Sequence, residues 1–157
     1  MRKRILDLTQ KRTASDSPNW LNLDDLADVE LTSEDPAHPI ECALLPNRTS
    51  GWRAGGLGAQ TIRLLFASPQ RIRRIQLNFV ESETERTQEY ALRWSQDGGK
   101  TFQDIVRQQW NCSPQGSTSE TEDHHLDLPG VTALELHIIP DIGGKSIPAS
   151  LEQMRVA

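Results

Sequence analysis

The chain has 157 residues, with 17 Lys and Arg against 22 Asp and Glu, so its formal net charge is −5. A chain of this length buries about two thirds of its unfolded surface, enough for an independent core. The acidic balance argues against nucleic acid as the partner, because phosphate binding draws on a basic field. A local basic cluster, Arg71, Arg73 and Arg74, has no aromatic residue among it and reads as solvated strand or turn.

Met1-Arg2-Lys3-Arg4 carries the charge of a signal-peptide n-region, but Ile5 to Lys11 offers no apolar run to follow it, and no segment is long enough for a membrane span. A cytoplasmic protein is therefore expected. Cys42 and Cys112 are the only cysteines and are expected as free thiols in a reducing compartment. Asn47-Arg48-Thr49 and Asn111-Cys112-Ser113 match the glycosylation pattern, which has meaning only on a secreted chain.

In chain order, residues 1–27 form a lead-in that packs on the domain proper, 28–157. Ile5, Leu6 and Leu8 suggest a strand, and Ser15-Asp16-Ser17-Pro18 a loop. Asn22, ahead of Asp24 and Asp25, suggests one capped helical turn with Trp20 as its anchor. Val29 and Leu31 alternate with charged neighbours in a half-buried strand over 29–34, which Pro36 and Pro39 interrupt. A long loop from Pro46 to Gly58 holds four glycines and Trp52. Loops of this length are more often functional than decorative.

Beyond it the alternation is clean. Ile62, Leu64 and Phe66 share one face of a first strand, and Ile75, Leu77 and Phe79 one face of a second. Ser68-Pro69-Gln70 between them suggests a reversal, hence an antiparallel pair. Tyr90, Leu92 and Trp94 alternate with Ala91, Arg93 and Ser95, and Asp97-Gly98-Gly99 turns the chain toward a strand from Phe102 to Trp110. Leu126 and Leu128, the turn Pro129-Gly130, then Leu134, Leu136 and Ile138 suggest two more strands, and Leu151, Met154 and Val156 a last one. About eight short strands with turn chemistry between them predict an all-β antiparallel sandwich or jelly roll.

Catalysis finds no motif. There is no Gly-x-Ser-x-Gly elbow, and Gly55-Gly56-Leu57-Gly58 lacks the strand-to-helix context of a phosphate loop. Glu81, Glu83 and Glu85 read as a solvated charge run. His124 and His125 follow Glu120, Glu122 and Asp123, but adjacent strand residues point to opposite faces, so the two imidazoles do not share an ion. His38 reads as a loop residue.

The order of these features resembles the coagulation-factor type C, or discoidin, domain within the galactose-binding-like β-sandwiches. The most specific piece is Tyr90-Ala91-Leu92-Arg93-Trp94-Ser95-Gln96-Asp97-Gly98. Gly51-Trp52, the strands around Ile62 to Phe66 and Ile75 to Leu77, and the ending Leu151 to Val156 accompany it. The family usually has an Asp-Gly pair ahead of its loop tryptophan, where this chain has Asn47-Arg48-Thr49-Ser50-Gly51-Trp52. The resemblance implies a non-catalytic module that binds through loops at one end of the sandwich, as relatives bind sugars, phospholipid head groups or proteins. It also implies a structural calcium, with Asn47, Ser50 and Glu152 where such ligands would fall; no other cofactor is expected.

The expected binding surface comprises Trp52 and Arg53 in the long loop, Arg86, Gln88 and Glu89 ahead of the central strand, and Trp110 and Asn111 at the end of the next. An aromatic face with Arg, Asn or Gln beside it suits a glycan or other small polar ligand, and equally a protein hot spot. The alternative function is a protein interaction module or subunit of an assembly. In the structural alternative, Trp52 and Trp110 plug the sandwich ends while Arg86 and Glu89 pair.

Overall fold

A computed structural model describes residues 19–157. The strand suggested by Ile5, Leu6 and Leu8 and the loop through Ser17 lie outside the described residues. The Trp20 ring lies against the Arg74 guanidinium, 5.3 Å from its centroid, and the Leu21 N–H donates to the Val156 carbonyl at 2.7 Å. Helix α1 (Leu23–Leu26) follows. Asn22 occupies the N-cap position, yet its amide donates to the Asp25 carboxylate at 2.9 Å and leaves the backbone uncapped.

The remaining elements are β1 (Ala27–Leu31), α2 (Glu41–Leu44), β2 (Trp52–Arg53), β3 (Gln60–Val80), β4 (Arg86–Ser95), β5 (Gln103–Cys112), β6 (Ser119–Ile139), β7 (Ser150–Leu151) and β8 (Gln153–Val156). All strand pairs are antiparallel. The expected pair of strands around Ser68-Pro69-Gln70 is a single 21-residue strand, β3, and the expected pair around Pro129-Gly130 is likewise one strand, β6. The two run beside each other throughout, with register shifts between Leu65 and Gln70, Gln70 and Ile72, and Ile72 and Arg74. Pro69 cannot donate to a ladder, and Gly130 takes φ +66°, which costs a glycine no Cβ clash. The turn residues therefore bend a continuous ribbon through bulges and do not reverse it.

That bend makes the sandwich. Before it, β3 pairs with β1 and with the second half of β6, which continues to β4 and β5; beyond it, β3 pairs with the first half of β6 and with β8. Ile62, Leu64, Leu92, Leu134, Leu136 and Ile138 from the larger layer meet Ile75, Leu77, Phe79, Met154 and Val156 from the smaller in one buried cluster. Phe79 and Tyr90 stack across it at 5.3 Å between ring centroids. At about 25 cal/mol per Å² of buried apolar surface, this interlayer contact is the main source of stability.

Because the ribbon folds back, Gln60 and Val80 come to the same end, together with the starts of β4 and β6 and the ends of β5 and β6. Segments 81–85, 113–118 and 140–149 gather there with the loop around Trp52, while α2 packs beside β8 and β1. Among the described residues no helix is long and apolar enough to cross a membrane.

Candidate functional site

The loop end is fastened by the two-stranded β2–β7 pair, in which Trp52 faces Leu151 and Arg53 faces Ser150. Trp52 is buried, 1% exposed, and its indole N–H donates to the Ser33 carbonyl at 3.1 Å. It has no free face for a ligand ring to stack on. Gly51 precedes it at φ +63°, where a Cβ would stand 2.7 Å from the Leu151 carbonyl oxygen and 2.8 Å from the Glu152 Cα. Gly51→Ala is expected to cost about 1–3 kcal/mol from conformation and backbone contact together. Chemical denaturation measures this, and an unchanged midpoint would show that the loop relaxes around the methyl group.

Arg53 alternates outward from Trp52 and is exposed. It lines a shallow groove with His38, Ser50, Val80, Glu81, Glu83 and Glu152, which continues past Ser150 to Ile147 and Pro148. Arg86 lies beneath this groove. Its Nε is 3.4 Å from Glu81 Oε1, and its Nη1 and Nη2 donate to the Pro148 carbonyl at 3.4 Å and the Ser150 hydroxyl at 3.3 Å. Arg86 and Glu89 do not pair with each other, since residues three apart on a strand point to opposite faces. Glu89 is on the outer face, where it accepts from Arg107 at 3.0 Å and Gln109 at 3.3 Å. Gln88, 1% exposed, faces the core between Arg86 and Tyr90, and its amide has no protein partner among the described residues.

Trp110, in register with Gln88 on β5, is 6% exposed and donates its N–H to Ser117 Oγ at 2.8 Å. Asn111, by contrast, opens into a hollow of about 580 Å³ at this end, lined also by Glu85, Arg86, Thr87, Cys112, Ser113, Asp141, Ile142, Gly143 and Lys145. Thr87 Oγ1 donates to Asn111 Oδ1 at 2.8 Å, which turns the Asn111 amide N–H groups toward other acceptors. The Asp141 carboxylate accepts the backbone N–H groups of Lys145 (2.9 Å) and Thr87 (3.0 Å). Those two bonds hold it below the usual carboxylate range, so it serves to fix the 141–145 turn. Lys145 Nζ donates to the Glu85 carbonyl, and Ile142, half exposed, forms an apolar rim.

The expected surface therefore divides. Arg53 and Asn111 are accessible, in two adjoining hollows; Arg86 is a buried floor; Trp52, Gln88 and Trp110 are core; Glu89 lies on another face. The period-two pattern already carried that signal, since Arg86 and Gln88 share parity with Tyr90, Leu92 and Trp94. Sequence reasoning missed Thr87, Ile142 and Lys145, which topology alone brings beside Asn111. Ser50 and Glu152 meet in the Arg53 groove, while Asn47 does not line it.

The remaining candidates are placed elsewhere. Tyr90 Oη and His124 Nε2 are 2.8 Å apart, and His125 points outward toward Asp123, 3.5 Å away. Arg71 and Arg74 each meet a carboxylate, Asp127 and Asp123. Cys112 is buried and Cys42 half-buried, both free.

Solved structures share this architecture. A family 32 carbohydrate-binding module from Clostridium perfringens NanJ, in complex with galactose, is 13% identical, with 87% of this chain and 96% of that one covered and a TM-score of 0.64. The Clostridium perfringens module CpGH89CBM32-5, in complex with GalNAc-β-1,3-galactose, is 20% identical over 88% and 99%, at 0.63. A pectin-binding carbohydrate-binding module is 15% identical over 84% and 90%, at 0.60. None of the curated protein sequences matches. The family model for the F5/8 type C domain matches residues 28–152, and the chain belongs to that family.

Proposed function

We propose that this chain is a non-catalytic carbohydrate-binding module that takes its glycan at the loop end, in the hollow around Asn111. Its membership of the F5/8 type C family and the sugar-bound state of structural relatives support a glycan as the ligand. The observation that carries the choice of hollow is the Thr87–Asn111 hydrogen bond at 2.8 Å. It fixes an amide donor and a hydroxyl beside each other, the pairing that a sugar's vicinal hydroxyls meet with two reciprocal bonds. Ile142 provides the apolar contact for the C–H face of a ring, and a volume of about 580 Å³ falls within the range of small-ligand sites.

The test is thermal unfolding against galactose, GalNAc-β-1,3-galactose and pectin fragments. A ligand at ten times its dissociation constant adds about 1.4 kcal/mol, roughly a 3–6 °C rise in Tm for a domain of this size. Asn111→Ala is expected to weaken the responding sugar about tenfold, equal to about 1.4 kcal/mol, with the unliganded Tm unchanged. A loss in Arg53→Ala with full binding in Asn111→Ala would move the site to the neighbouring groove. A flat panel would sink the glycan reading.

A further inference from the structure

The structure assigns the cationic role at the base of the long loop to Arg155, an internal guanidinium that fixes this loop without calcium. Arg155 lies on β8 and is 7% exposed. Its Nη1 donates to the Ala43 carbonyl at 2.9 Å and to the Met154 carbonyl at 2.9 Å, and its Nη2 to the Leu45 carbonyl at 3.2 Å. Among the described residues no carboxylate pairs with it. A buried guanidinium kept without an anion is costly unless its donors are taken up, and here backbone carbonyls take them.

Two of those carbonyls, Ala43 and Leu45, belong to the end of α2 and the residue that follows it. A four-residue helix leaves its last carbonyl oxygens without helical partners, and α2 has no basic residue in its own last turn. Arg155, 112 residues from Ala43 in sequence, supplies the missing cation and ties the last strand to the start of the loop. The fork spans two carbonyls at once, which the single ammonium of lysine does less well.

The side chains expected around a calcium do not form a donor set for one. Asn47 and Ser50 are exposed. The Ser50 hydroxyl donates to the neighbouring Thr49 carbonyl, and the Ser50 carbonyl is 3.3 Å from His38 Nδ1. Glu152 alone brings a carboxylate, against the six to eight oxygens that calcium takes. The Ala43 and Leu45 carbonyls, two to four residues before Asn47, already face a positive group.

Burial lowers the Arg155 pKa, but a guanidinium stays charged throughout the working range. The loop is thus held by the chain itself, and the binding end is indifferent to chelators.

The experiment is thermal unfolding of the full chain in millimolar calcium chloride and in EGTA, with calorimetric titration of calcium alone. Expected are equal Tm values and no saturable heat. A reproducible Tm rise in calcium, or a stoichiometric heat, overturns the proposal. Arg155→Lys is expected to lower Tm by roughly 4–8 °C, which calcium does not restore. An unchanged Tm in that variant also overturns it. Should Arg155→Lys fail to fold, the wild-type titration decides alone.

Discussion

Trp52→Ala is expected to lower stability by about 3–5 kcal/mol, the cost of emptying a fully buried aromatic site, and to drop Tm by roughly 10 °C. The indole ties three segments together. It packs within the core cluster, donates to the Ser33 carbonyl at 3.1 Å, and belongs to a β2 whose partner, Leu151, is fully buried. The backbone on either side adds to this knot, with Asp35 N–H to the Arg53 carbonyl at 2.9 Å and Ala54 N–H to the Ala149 carbonyl at 2.8 Å. Trp52→Phe separates the components: it keeps most of the apolar burial and removes the N–H, so it should cost far less than the alanine variant, with about 1 kcal/mol of the loss belonging to the hydrogen bond. A Trp52→Ala protein with wild-type Tm and no glycan affinity would contradict this and return Trp52 to the ligand surface.

The expectation of a stacking tryptophan shows where sequence reading stops. A tryptophan in a glycine-rich loop has the same composition whether the loop folds in or out. Its inward turn depends on the close approach of Gly51 to the Leu151–Glu152 backbone, 100 residues away. Alternation, a local property, was legible, and β4 repeats it from Arg86 to Trp94. So was the Ser-x-Asp-Gly turn. The Asp97 carboxylate accepts from the Ser95 hydroxyl at 2.6 Å and from the Thr101 N–H and hydroxyl, so the motif closes on itself within seven residues. Those bonds, led by Ser95, hold the Asp97 carboxyl below its usual range.

The bends in β3 and β6 were not legible, because Pro69 and Pro129-Gly130 carry the chemistry of a reversal. Only their juxtaposition across two long strands makes them bulges. Helix α2 escaped for a simpler reason: one turn is too short to show a 3.6-residue period. Within the site, the direction of each strand residue followed from parity, whereas the company of Asn111 did not. Thr87 lies across the β4–β5 ladder from it, and Ile142 reaches the hollow through its N–H bond to the Thr87 carbonyl at 2.8 Å.

The outer face of the larger layer carries the second large effect. Parity sends Glu135 outward between Leu134 and Leu136, yet it is 4% exposed. Register places Arg63 on one side of it and Arg93 on the other. Arg63 donates Nε (3.2 Å) and Nη2 (2.7 Å) to Oε2, and Arg93 donates Nε (3.1 Å) and Nη2 (2.6 Å) to Oε1. Both guanidinium groups also lie against the Phe102 ring, at 5.3 and 4.8 Å from its centroid. Glu135→Ala thus leaves two like charges facing each other across β6, at an expected cost of about 2–3 kcal/mol. That is below the cost of breaking a fully buried pair, because the arginine side chains are 34% and 41% exposed and water screens them.

The pH dependence has a definite sign. Burial pushes the Glu135 carboxyl up, but the hydrogen bonds from Arg63 and Arg93 outweigh it, and the net shift is downward. A depressed folded pKa means that the stabilisation is complete above the unfolded value, about 4.3, and is lost as pH falls through the folded one. Glu135→Gln keeps the shape and cannot ionise, so the stability gap between it and the wild type should be constant from about pH 7 to pH 5 and narrow below about pH 4. A gap that stays constant down to about pH 3 would mean that the carboxylate charge contributes nothing and that the two arginines are held by Phe102 and their own strands.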